Sequence, residues 1–235
     1  MTAEVERYGE YSERGDYHRE IDPKWRYYPV YKAKMQYIRG FLENTPPENK
    51  TLDAGCGEGL LVEEYREKGY NITGLDLGYS SNHVKKGDVR DMPFGEGEFS
   101  LVLCLDVIEH LNYEDQGRAL GEMHRVLDDG GLMLLAIPNL AHIASRLAFL
   151  FTGKLIRTST IERHKGDRPI NEYLQLLEDA GFHIKKRRGV FPTLPVLSAL
   201  TYIMPDKVYP IHQVYNRILA YPNWCFLNLI LCRKK

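Results

Sequence analysis

The chain has 235 residues, 43% hydrophobic and 27% charged, with 31 Lys/Arg against 32 Asp/Glu. That composition excludes collagen-like, low-complexity and disordered classes and leaves room for one well-filled globular domain. The longest apolar stretches, residues 143–151 and 224–231, fall far short of the roughly 20 residues a membrane helix needs, and the charged, Tyr-rich start carries no signal-like apolar core.

In chain order, residues 1–28 are polar and hold Tyr8, Tyr11, Tyr17, Tyr27 and Tyr28. The spacing of Val30, Tyr31, Met35, Ile38 and Leu42 predicts a helix, stopped by Pro46 and Pro47. From Lys50 the pattern alternates. A short strand, Thr51-Leu52-Asp53-Ala54, runs into Gly55-Cys56-Gly57-Glu58-Gly59, followed by a helix with Leu60, Leu61 and Tyr65 on one face that ends near Gly69. Residues 72–76 read as a second strand, 84–89 as a weak third, and 99–105 as a fourth, whose unbroken apolar run suits a doubly covered parallel sheet. A helix over 114–127 is expected to stop at Asp128-Asp129-Gly130-Gly131, before a fifth strand over 132–137.

Strands alternating with helices at this spacing predict βαβ units and a doubly wound, mostly parallel sheet, which binds ligands at the carboxyl ends of its strands. Beyond Asn139 regularity falls. A helix over 140–150, a basic loop over 151–168, a helix over 171–180 and strands over 182–188 and 224–232 are expected, with a proline- and aromatic-rich segment over 190–222 between those two strands. Without repeats or linkers, one domain is expected over 1–235, divided into an N-terminal lid (1–45), a cofactor-binding core (46–139) and an acceptor-side part (140–235).

The four cysteines, Cys56, Cys104, Cys225 and Cys232, form no CxxC pair, which fits a reduced cytoplasmic protein. The eight histidines show neither HxxxH nor HExxH spacing, so no metal site is expected. Charge is unevenly spread: residues 1–139 carry 16 Lys/Arg against 26 Asp/Glu, and residues 140–235 carry 15 against 6. This asymmetry points either to an anionic partner for the second part or to solvated helix faces.

The chemistry concentrates at strand ends. Gly55, Gly57 and Gly59 permit a tight turn and close ligand approach, and the helix that follows offers free backbone N–H groups to an anion. The spacing is GxGxG rather than the dinucleotide GxGxxG. Asp53, just before the loop, would repel a pyrophosphate but suits a cationic ammonium. S-adenosylmethionine carries ammonium, carboxylate and sulfonium together and so fits an acid beside N–H donors. Asp76, at the end of the second strand, can accept from ribose hydroxyls. Asp88 can accept from an adenine amino group, with Val89 against the ring. Each residue alone is equally well a turn or cap residue; their succession at strand ends favours one ligand touching them all.

Residues 52–59, 74–76, 87–89, 91–94, 99–111 and 125–131 resemble the ordered motifs of class I (Rossmann-like) S-adenosylmethionine-dependent methyltransferases, in particular the ubiquinone/menaquinone-biosynthesis-type group. The resemblance implies a seven-stranded sheet of order 3-2-1-4-5-7-6 with strand 7 antiparallel. It also implies that Asp53, the Gly55–Cys56–Gly57–Glu58–Gly59 backbone and the Leu105 backbone hold the methionine part. Asp76 would bind the ribose with Leu77 beside the adenine, and Asp88 and Val89 would hold the adenine. Cys56 is expected to be an ordinary thiol rather than a nucleophile.

Asp106-Val107-Ile108-Glu109-His110-Leu111 resembles the motif that borders the acceptor pocket. Methyl transfer needs chiefly alignment, and where a base helps, His110 is the candidate, because imidazole titrates near neutral pH; the plainer alternative is that it orders the loop. The acceptor should meet parts outside the common core. Tyr17, His18, Trp25, Tyr27 and Tyr28 are candidates for a lid. Lys154, Arg157, Arg163, Lys165 and Arg168 are candidates for an anionic group on the acceptor. The apolar stretches 143–151 and 196–204 leave room for a lipidic acceptor or a peripheral membrane contact. No nucleic-acid-reading motif interleaves these residues. The expected activity is methyl transfer to a small molecule; the rival readings are an NAD-dependent oxidoreductase and a non-catalytic S-adenosylmethionine-binding or scaffold protein.

Overall fold

Seven strands give the chain one central sheet. The computed structural model describes residues 4–5, 18–157 and 159–235; Tyr8, Tyr11 and Tyr17 lie outside the described residues. The strands are β1 (Thr51–Ala54), β2 (Ile72–Asp76), β3 (Val84–Lys86), β4 (Phe99–Leu105), β5 (Leu127–Pro138), β6 (Phe182–Pro192) and β7 (Cys225–Lys234). They stand in the order β3-β2-β1-β4-β5-β7-β6. Neighbours from β3 to β5 are parallel, and β7 runs antiparallel to both β5 and β6. Fold class, strand order and the orientation of the seventh strand are as expected. A separate two-residue ladder pairs Glu4 with Ser80 and Val5 with Tyr79.

Helices cover both faces: α1 (Tyr28–Leu42), α2 (Leu60–Glu67), α3 (Tyr113–Val126), α4 (Ile143–Thr152), α5 (Ile170–Asp179), α6 (Pro195–Ile203) and α7 (Pro205–Ile218). Strand residues alternate between faces. On β4, Leu101 and Leu103 join the core beneath α1 and α2, while Val102 and Cys104 join the core beneath α3 and α5. Burial of each such leucine or valine contributes about 1.5–3 kcal/mol, which is why β4 has no polar side to show.

The structure corrects three expectations. The third strand ends at Lys86 rather than Val89: the chain turns at Gly87, where a Cβ would lie 2.8 Å from Leu75, and Asp88 bridges to Asp91. The helix before β5 ends at Val126, and Leu127 is already extended. Asp128-Asp129-Gly130-Gly131 thus lies inside β5 instead of stopping a helix. Gly130 takes φ +75° there, and the pairing with β4 is irregular between Phe99 and Leu101. Finally, the proline-rich segment after β6 holds α6 and α7. Pro195 and Pro205 sit in their first turns, where proline costs no hydrogen bond.

Candidate functional site

The carboxyl ends of β1 and β4 open into a cleft of about 510 Å³, its mouth included, lined among others by His18, Tyr31, Lys34, Asp53, Gly55 and Leu105. The loop after β1 forms its floor. Gly55, Gly57 and Gly59 all take positive φ, between 57° and 78°, and a Cβ on Gly55 would collide with Val107. Glycine is needed there both for the backbone conformation and for the space.

Asp76 accepts from the Gly57 amide (2.9 Å) and, through its other oxygen, from the Gly78 amide (2.9 Å), so β2 holds the glycine loop by hydrogen bonds. Burial raises the Asp76 carboxyl against these donors. Asp53 is buried, and burial together with Asp76 pushes its carboxyl up to about 7, with Lys34 opposing. Burial likewise drives the Cys56 thiol well above its usual value, so it is no nucleophile at neutral pH. Leu77 is 53% exposed beside Asp76, and Val89 is buried. Asp76, Leu77, Asp88 and Val89 all stand outside the cleft's lining, and Arg90 clasps both oxygens of Asp88 (2.6–3.0 Å) and reaches Asp115 at 2.7 Å.

Lys34 was not foreseen. It sits on the buried stripe of α1 among Tyr31, Met35 and Ile38, and its ammonium pairs with Asp106 at the end of β4. Asp106 takes φ +57°, unusual outside glycine, and its Oδ1 has no hydrogen-bond partner. A cation at an apolar-stripe position was the available signal. His18 stacks on Tyr31 at 5.0 Å, and burial, reinforced by Lys34, lowers it to about 4, so it is neutral at physiological pH. Trp25 packs on Tyr31 and Tyr27 on Phe226. Tyr28 instead meets Tyr209 of α7. Of the expected lid residues described, only His18 lines the cleft, and Tyr28 is turned to a neighbouring helix.

After β4, a one-turn 3-10 helix (Ile108–His110) carries Glu109 and His110, neither of which lines the cleft. His110 Nδ1 lies 3.0 Å from the carbonyl of Arg163. A carbonyl only accepts, so Nδ1 is the donor of this hydrogen bond. Gln116 of α3 holds the facing loop in place, donating to Ile108 O and Gly166 O and accepting from Arg168 Nε. Glu109 is buried with Oε2 unpartnered, and burial plus Asp106 raise its carboxyl well above the usual range. Among the described residues, ligand atoms of Glu109, His110 and His164 lie within 4.8 Å of one another and could meet at a divalent cation. No local motif announces this group, because His164 arrives from a different loop, where Asp167 holds it at 3.1 Å. Within the basic cluster, Arg157 pairs with Asp167, and Arg168 with Gln116 and Glu172.

A parallel sheet with this strand order, a glycine loop after β1 and an acid ending β2 is the frame of an adenosyl-binding fold. Residues 52–135 match the family model described as a methyltransferase domain. The domain is similar to a probable S-adenosylmethionine-dependent methyltransferase of Mycolicibacterium smegmatis, 30% identical over 60% of this chain and 54% of that protein. It is also similar to a ubiquinone biosynthesis O-methyltransferase of Bradyrhizobium sp., 32% identical over 50% of this chain and 56% of that one. The chain thus spans little more than half the length of these two relatives. A solved structure from Pyrococcus horikoshii shares the fold with a TM-score of 0.63 at 15% identity, covering 97% of this chain and 100% of that one. The fold is the Rossmann-like α/β fold that methyltransferases share.

Proposed function

We propose that this chain is an active cytoplasmic S-adenosylmethionine-dependent methyltransferase, working as one domain on a small-molecule acceptor of anionic or lipidic character. One observation carries the reading: an acid (Asp53), a cation (Lys34) and the backbone of a glycine loop meet in a single cleft. That is the donor and acceptor set an amino-acid zwitterion requires. A pyrophosphate would face Asp53 unfavourably, which argues against a dinucleotide.

S-adenosylmethionine supplies a methyl group already activated on a sulfonium. The chain's own work is then to bind, orient and exclude water. Asp53 takes the ammonium. Lys34, the loop amides and the N-terminus of α2 take the carboxylate, with the Leu105 backbone beside them. Asp76, positioned by Gly57 and Gly78, takes the ribose hydroxyls, and Leu77 and Val89 flank the adenine. Asp88, held by Arg90, supports the turn that carries Val89 and has the least free capacity to accept from adenine. His18 and Tyr31 line the cleft, with Trp25 packed on Tyr31.

His110, its tautomer set by the Arg163 carbonyl, offers Nε2 to accept a proton from the acceptor. The Bradyrhizobium relative is named as an O-methyltransferase, which supports a hydroxyl acceptor. Calorimetric titration with S-adenosylmethionine, S-adenosylhomocysteine and NAD tests the reading, with Asp76→Ala as control. Binding of both adenosyl amino-acid ligands, weakened by the control, is expected. Binding of NAD alone, or of nothing, overturns it; ligand binding without turnover across a broad acceptor panel leaves the non-catalytic module.

A further inference from the structure

Of the nineteen exposed large hydrophobic residues among those described, seventeen lie between Leu147 and Trp224. They are not scattered. On α4, Leu147, Leu150 and Phe151 share one face, with Leu150 74% and Phe151 83% exposed, and Ser145 is the only buried residue of the helix. On α6 the exposed face is Val196, Leu200 and Ile203, and on α7 it is Ile211, Val214 and Ile218. Each set follows the i, i+3/i+4, i+7 spacing of a helix stripe, yet these stripes face outward.

The three helices are joined. Thr193, just before α6, receives the amide of Ala144 and contacts His142 at the start of α4 (2.9 Å), and it donates to the Trp224 carbonyl. Thr201 of α6 bonds His212 of α7 at 2.7 Å. Exposed apolar stripes on adjoining elements mark an interaction surface.

Charge decides what the surface fits. Residues 143–161 and 195–224 hold Arg146, Lys154, Arg157, Lys207 and Arg217 against Asp206 alone. Lys154 follows α4 directly, and Lys207 lies one turn before Ile211 on the same stripe of α7. A second copy meeting this one through the same face would set cations against cations. We infer that α4, α6 and α7 form a docking face for an anionic lipid membrane, with the apolar stripes entering the headgroup boundary and the cations resting on acidic headgroups. This inference does not depend on the methyltransferase reading.

Vesicle flotation tests it, using phosphatidylcholine alone and phosphatidylcholine mixed with phosphatidylglycerol. The full chain is expected to float with the anionic vesicles and to be released by salt. Leu150→Ser/Phe151→Ser and, separately, Lys154→Glu/Lys207→Glu should each weaken binding roughly tenfold or more. These side chains are exposed, so both variants should keep the parent's circular dichroism and S-adenosylmethionine affinity. Flotation with neither vesicle, equal flotation with both, or undiminished binding by the variants would overturn the inference. So would a dimer in sedimentation velocity that the serine variant dissolves without any vesicle binding.

Discussion

Lys34 of α1 and Asp106 after β4, seventy-two positions apart, form an ion pair at the cleft. Lys34 is nearly buried while Asp106 stays one-third exposed, so the pair links the N-terminal helix to the carboxyl edge of the sheet. Lys34→Met should weaken S-adenosylmethionine binding by roughly ten- to a hundredfold, the loss of one charge-assisted contact. Combining it with Asp106→Asn should cost less stability than the two single changes added, by about 1–3 kcal/mol. Denaturant unfolding of the cycle measures this, and strict additivity would show that the pair does not couple.

Gly55→Ala forces a side chain into a left-handed conformation and against Val107. A loss of about 2–4 kcal/mol in urea unfolding is expected. Val107→Ala in the same chain should recover the steric part only, since the backbone strain persists. A neutral Gly55→Ala would mean that the loop can rearrange.

Asp53 titrates near 7 in the folded, ligand-free chain but near 4 when unfolded. Between those values the native state holds a proton that the unfolded chain has released, so Asp53 lowers stability as pH rises through that window. Asp53→Asn should therefore stabilise the ligand-free chain at about pH 8 while abolishing the ammonium site. Since the ammonium needs the ionised acid, S-adenosylmethionine binding near pH 6 should release up to about one proton, and near pH 8 almost none. Calorimetry in two buffers of different ionisation enthalpy reads this directly. Identical heats near pH 6 would contradict the assignment.

His110→Ala should slow turnover by roughly 10²–10⁴-fold while leaving S-adenosylmethionine affinity intact, because Nε2 acts on the acceptor rather than the cofactor. Turnover unchanged with a hydroxyl acceptor would remove His110 from the reaction and leave it as a loop-ordering residue.

Much of the core was legible because its signals are local. Thr51–Ala54, Ile72–Asp76 and Phe99–Leu105 have the expected bounds: each is a short apolar run ended by glycine or aspartate, which neighbouring residues suffice to specify. The glycine spacing announced a turn requiring positive φ, and the turn has it. The two helices after β6 were not legible, because a proline reads as a breaker unless the position of the helix start is known.

Sequence by itself determined the strand series, the glycine loop and the acids at the strand ends, since each depends on residues a few positions apart. Only the tertiary structure decided that Lys34 meets Asp106, that His164 stands beside Glu109 and His110, and that Arg90 bridges Asp88 to Asp115. It also decided that the stripes of α4, α6 and α7 point away from the core. Periodicity shows that a helix has an apolar face, but which way that face turns depends on whether the sheet has surface left to receive it.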